Sequence, residues 1–224
     1  MRHRPTKDLY AYWRELLPQP EPATADAPRW PDRSRIEPSA MRRWLGDVFI
    51  LHAVGGEVRY RLAGTRLCAL HGDELAGTPF LSAFDGDDRS AARSWIGTFG
   101  SEAVPLLITC RAFNPHGASV ALETLLLPLA NTQGAGDHRA LGITTPETAV
   151  SWAGILPVVR QEITSVRVLR PWESNLARAD WPLVRPVRGD EMRPVPDRRR
   201  LTGADGQALG RRVAHLTVLD GGFA

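Results

Sequence analysis

The side chains best suited to chemistry here are Cys68, His71, Cys110, His52, His116 and Glu123. Cys68 and His71 share "TRLCALHG", where an alternating segment turns into a very short helical one. Such a corner suits a catalytic pair, a cofactor pocket or ordinary packing. His52, His116 and Glu123 are acid–base groups, but no nucleophile elbow, phosphate loop or HExxH accompanies them. The pattern therefore argues against an enzyme. His116 stands in "NPHG", a turn where a polar residue needs no function. Glu123 alternates with Leu122 and faces either solvent or Arg111 on the neighbouring strand. The two cysteines lie in apolar surroundings without a CxxC pattern, which speaks against zinc or a disulfide framework and for a reducing compartment.

Periodicity supplies the elements that would hold these groups. In "DLYAYWRELL" (8–17), Leu9, Tyr12, Trp13, Leu16 and Leu17 recur at helical spacing on one face. Asp8 is the expected N-cap and Pro18 the stop. The proline-rich "PQPEPATADAPRWPD" has no periodicity and reads as a linker, so the helix is tethered rather than built in. It needs an apolar surface on its own domain or on a partner chain. "EPSAMRRWLG" suits two helical turns, and "DVFILHAV", Gly55-Gly56 and the next segment form a hairpin. In the second strand Val58, Tyr60 and Leu62 alternate with Arg59 and Arg61, which puts the three apolar residues on one buried face.

Gly64 breaks that strand. Thr65 caps a turn and a half of helix, Gly72 closes it, and Leu67, Leu70 and His71 group on it. A second corner follows at Gly77, with Leu81 and Phe84 turned inward. "DDRSAARSWIGTFG" is a longer helix, capped by Asp87 or Asp88, with Ala92, Trp95, Ile96 and Phe99 as its stripe. Strands follow at 105–113, 118–130 and 138–145, and "ITSVRVLRPWES" (163–174) suits a last amphipathic strand or an extension along the sheet. The order predicts an α+β fold: a five-stranded antiparallel sheet with short helices on one face, in two layers.

The chain has 224 residues, 43% of them apolar, enough for one domain with extensions. The organisation expected is a helix and linker over 1–35, a folded domain over 36–170 and a largely flexible tail over 171–224. Net charge is +3, but Val184 to Val213 carry eight Arg against four Asp/Glu, so the rest of the chain nets −1. Interspersed acids dilute the field of that tail, which argues against nucleic acid as a partner. Within it, "VAHLTVLDGG" is a β-like run suited to adding onto a sheet edge. No signal peptide and no long apolar run are visible, so a cytoplasmic protein without a membrane span is expected.

"DLYAYWREL", "IEPSAMRRWLGDVFILHAV" and "VRYRLAGTRLCALHGDELAGTPF" together resemble a bacterial family of stand-alone PAS-type proteins. These open with an aromatic "YW" helix and carry a "YRLxGT" strand-to-turn motif followed by spaced Gly, Leu and Gly. The matching positions here are Tyr12, Trp13, Tyr60, Arg61, Leu62, Gly64, Thr65, Gly72, Leu75 and Gly77, within a resemblance covering residues 8 to 170. It implies a PAS-like fold with a small cavity between sheet and helices, and a sensory or interaction role in a dimer. It implies no activity and no particular ligand.

Relatives with flavin photochemistry place a cysteine in an "NCRFLQ"-like helix, which "RLCALH" does not match, so Cys68 and Cys110 read as packing. Haem would need an axial ligand, and His71 is the best-placed candidate. A histidine just before a helix-closing glycine is also favourable to the helix dipole, so His71 reads first as a capping or surface residue. The cofactor is left unknown, with haem at His71 as the alternative. Candidate cavity walls are Tyr60, Leu62, Leu67, Leu70, Phe84, Trp95, Ile108, Cys110 and Leu122. Thr109, Thr124 and Thr144 are further polar candidates whose facing strand parity leaves open. Phe80 and Phe99 are further aromatic candidates for that lining, and a packed core is the competing reading of all these residues. Leu9, Tyr12, Trp13, Leu16 and Leu17 are the candidate homodimer surface, with covering of the chain's own sheet as the alternative. The expected function is a sensory or regulatory protein that binds a small ligand or a separate signalling partner without catalysis. A ligand-free interaction scaffold is the runner-up.

Overall fold

The computed structural model describes residues 1–18, 30–84, 86–96, 103–130 and 138–171, with strand backbone at 201–202, 208–213 and 216–219. Strands β1 (Val48–Val54) and β2 (Glu57–Ala63) form the hairpin expected around Gly55 and Gly56, both at positive φ. They continue into a sheet with β3 (Leu106–Phe113), β4 (Ser119–Leu129), β5 (Arg139–Pro146) and β6 (Arg160–Val168). The spatial order is β2-β1-β5-β4-β3-β6, antiparallel throughout. The α+β fold class holds, but the sheet has six strands, not five. In β6 the register against β3 shifts between Thr109 and Cys110, leaving Thr164 as an extra residue. Ile163 and Val166, three apart, therefore reach the same core, and the bulge hides the strand's period of two.

The two faces of the sheet bury different sets of residues. On the inner face, Phe49, Leu51, Ile108, Cys110, Leu122 and Leu126 pack against α2 (Thr65–His71) and α3 (Gly86–Ile96). On the outer face, Ile50, Leu107, Leu125, Leu127, Leu141 and Ile143 pack against α1 (Arg4–Glu15). The helices thus cover both faces, a correction to the two-layer expectation. The uninterrupted apolar run of β4 around Leu125, Leu126 and Leu127 reflects this double burial.

Helix α1 starts at Arg4, ahead of the Asp8 cap expected from the sequence. Pro5 occupies its first turn, where no backbone donor is needed, and Asp8 instead faces Arg4 at 3.7 Å. Similarly, Gly64 rather than Thr65 is the N-cap of α2. A Cβ on Gly64 would lie 2.1 Å from the Leu45 carbonyl oxygen, so only glycine fits there.

The segment from Gly77 to Phe84 crosses the inner face and bonds to both sheet edges. Tyr60 N–H donates to Thr78 O and Phe80 N–H to Val58 O on β2. At the other edge, Gln161 N–H on β6 donates to Ala83 O. Neither edge is left as a free row of donors at these positions, and Phe80 and Phe84 are carried into the core. In the C-terminal region β7 (Leu201–Thr202), β8 (Ala208–Val213) and β9 (Leu216–Leu219) form a separate three-stranded antiparallel sheet. The β-like run beginning at Val213 thus turns back on β8, with Val213 opposite Leu216, instead of lengthening the main sheet. Among the described residues no helix is long and apolar enough to cross a membrane.

Candidate functional site

The inner core contains a small cavity lined by Tyr60, His71, Phe80, Phe84, Ile108, Thr124, Thr144 and Gln161. Its walls come from β2, β3, β4, β5 and β6, from the end of α2 and from the crossing segment. Tyr60 meets Phe49 and Phe80 edge-on, each at 5.5 Å between centroids, and Phe84 lies 6.3 Å from Phe80. Thr124 and Thr144 are opposite one another on β4 and β5, and their hydroxyls hydrogen-bond at 2.9 Å. The cavity measures about 10 Å³, room for about one water.

His71 reaches this cavity because the end of α2 is roofed by another part of the chain. Gly72 closes the helix in the left-handed conformation (φ 72°), its amide donating to Cys68 O. Gly154 N–H then donates to Ala69 O and Val158 N–H to Leu70 O, laying residues 154–158 along the helix end. The capping or surface reading of His71 is therefore corrected: its imidazole lines the interior, where burial lowers its pKa to about 4. Burial, and secondarily the neighbouring Cys68, push the Tyr60 phenol upward. At neutral pH the described groups on the wall are uncharged.

Tyr60, Phe84 and Ile108 lie on the cavity wall, and Thr124 and Thr144 face it. Leu67, Leu70, Cys110 and Leu122 are buried in the core around the cavity, not on its wall. Burial, with a smaller contribution from Asp88, raises the Cys110 thiol. Leu62 is a correction, since it is 53% exposed. Between Ile50 and Leu51 the register skips Arg61, pairing Leu51 with Tyr60 but Ile50 with Leu62. That bulge flips the parity of β2 and turns Leu62 to the outer side. The Trp95 side chain lies outside the described residues, as does Phe99. Thr109 points outward and bonds to Ser165 at 2.5 Å. Phe80 is on the wall as well, His71 is there as a neutral wall group and not as a haem ligand, and Gln161 is the wall residue that sequence reasoning missed. Gln161 lies on β6, whose bulge hides the strand's period, so no local signal marked it.

The acid–base candidates do not assemble. His116 is exposed in the β3–β4 turn, its amide donating to Asn114 Oδ1, and His52 lies on β1 opposite Arg59 and Arg139. Glu123 faces neither solvent nor Arg111. It is 2% exposed on the outer face and accepts hydrogen bonds from the backbone N–H of Arg2 at 2.8 Å and of His3 at 3.3 Å. Thr145, Glu123, Thr109 and Ser165 are register neighbours across β5, β4, β3 and β6, a polar row beside the apolar residues that α1 covers. Thr6 of α1 joins it through Thr145 at 3.3 Å.

The same arrangement corrects the homodimer surface. Leu9 and Trp13 are wholly buried against the chain's own sheet, and Trp13 Nε1 donates to Pro128 O at 3.0 Å. Tyr12, Leu16 and Leu17 are only partly covered, with the Tyr12 hydroxyl accepting from Glu37 N–H. The outer face needs an apolar cover, and α1 supplies it within one chain.

Haem does not fit the interior site. A porphyrin needs a pocket of several hundred Å³, whereas Phe80, Phe84 and Tyr60 fill the space beside His71. Among the described residues no three His, Cys, Asp or Glu side chains converge as a metal site.

No curated protein matches the chain. A model of the PAS domain family matches residues 1–145, from α1 through nearly all of β5, and the chain belongs to the PAS domain family.

Proposed function

We propose that this PAS protein is a cytoplasmic sensory domain that binds a small molecule in its interior and does no chemistry on it. PAS domains are sensory and regulatory modules, and the finer reading rests on one observation. Tyr60, His71, Thr124, Thr144 and Gln161 bring polar groups together at the centre of an apolar core. Packing alone favours apolar residues there, because each buried polar group needs a partner. A ligand that bonds to these groups and displaces Phe80 or Phe84 would alter the sheet, whose opposite face carries α1. Helix α1 is the output in this reading, received by a separate signalling partner or a second copy of the chain. A ligand acts this way only through unequal affinity for the two arrangements.

Native mass spectrometry of protein purified from its own cells, repeated after denaturation, tests the proposal. A mass excess lost on denaturation supports it. A bare chain that also fails to take up any compound from a cell extract sinks it. A scaffold without a ligand is the second reading, and its observation is the near-closed cavity with room for about one water.

A further inference from the structure

Among the described residues that line the interior cavity there is no Asp, Glu, Lys or Arg. The Asp88 carboxylate, whose charge reaches Cys110, is held on the Ile163 N–H at 2.9 Å. Cys68, on the same helix as His71, has its thiol toward Glu74 and the Ala63 carbonyl. A charged ligand entering here would lose its hydration and meet no counter-charge, which costs it about 100-fold or more in affinity.

The wall's hydrogen-bonding inventory narrows the class further. A neutral imidazole has one donor and one acceptor nitrogen, a carboxamide has both, and so do hydroxyl and phenol groups. His71, Gln161, Thr124, Thr144 and Tyr60 supply these side by side. A carboxylate, which only accepts, leaves the wall's donors satisfied but its acceptors facing an anion. An ammonium, which only donates, makes the opposite mismatch. An amide, alcohol or azole satisfies both kinds. The remaining wall is aromatic and aliphatic, from Phe80, Phe84 and Ile108, and suits a flat apolar body behind a polar head.

We propose that the interior site selects uncharged molecules with both a hydrogen-bond donor and an acceptor beside an apolar body, and that His71 sets this selection. The polar head takes the space in which one water would fit, and the body displaces the Phe80 and Phe84 rings. This rests on the ligand-binding reading above and goes beyond it by naming the class.

A matched trio tests it: benzamide, benzoate and benzylammonium, titrated into the full chain at pH 7 by calorimetry. Benzamide is expected to bind about 100-fold more tightly than either ion. His71→Leu, which keeps bulk but removes the hydrogen bonds, is expected to weaken benzamide about 10-fold. Thr144→Val serves the same purpose if the His71 variant does not fold. Benzoate or benzylammonium binding as tightly as benzamide overturns the class while leaving a ligand site in place. If none of the three binds, the net charge of the compound found by native mass spectrometry decides: an ion overturns the class, a neutral donor–acceptor molecule supports it. If that experiment also finds none, both readings fall.

Discussion

Replacing Glu123 by glutamine should release the N-terminal end of α1 without unfolding the sheet beneath it. The carboxylate accepts two backbone N–H groups, from Arg2 and His3, in a position 2% exposed. Glutamine offers one acceptor oxygen and turns its amide N–H toward the other donor. One charge-assisted bond then becomes neutral and one donor is left facing a donor, a loss of about 1–3 kcal/mol. That corresponds to about 5- to 150-fold more opening of the helix end. Hydrogen exchange followed by mass spectrometry on peptides covering residues 1–10 reads it directly, and trypsin cleavage after the exposed Lys7 reads it independently. Strand β4 should keep its protection. Glu147→Gln is the control, since Glu147 and its partner Arg2 are 49% and 78% exposed and their pair is worth little. Unchanged exchange in α1, or a Glu123→Leu variant with α1 held more firmly than in the native chain, would refute the reasoning. The buried carboxylate would then cost more than its bonds return.

Two further outcomes follow from the same packing and burial. Gly142→Ala should destabilise the fold by about 1–3 kcal/mol or more, because its Cβ would lie 2.2 Å from the Phe49 ring. Denaturant unfolding checks this, and adding Phe49→Leu should recover part of the loss through coupling of the two sites. Stability should also fall as pH drops from about 6.5 toward 4. His71 has its folded pKa lowered from 6.5 to about 4, so in that window the unfolded chain binds the extra proton. The slope contributed approaches about 1.4 kcal/mol per pH unit. It should be lost in His71→Gln and so appear in the difference between the native chain and that variant, and a difference that stays flat with pH would place the imidazole in solvent.

Much of the fold was legible in the sequence because its local signals agree with its tertiary contacts. The β1–β2 hairpin follows from Gly55-Gly56, where left-handed backbone is required, and the α2 corner follows from Gly64 and Gly72. The apolar stripe of α1 was visible too. What it packs against was not, since an amphipathic helix fits any apolar face, and only the assembled sheet offers Leu125, Leu127, Leu141 and Ile143 as its cover. The candidate site was legible in part: Tyr60, Ile108 and Phe84 followed from alternation or position. Leu62 did not, because one skipped residue in a ladder reverses every side chain beyond it, and nothing local to β2 records the skip.

The sequence by itself thus determined the order of elements, the turns and the apolar stripes, each set by interactions within about ten residues of chain. The tertiary structure alone decided which charges and polar groups are buried. Glu123 looks solvent-facing in its strand until the amides of Arg2 and His3 arrive from more than a hundred residues away. His71 looks like a helix-end cap until the 154–158 segment roofs it and its charge becomes costly. Burial is a property of the closed chain, and with it comes the chemistry of both residues.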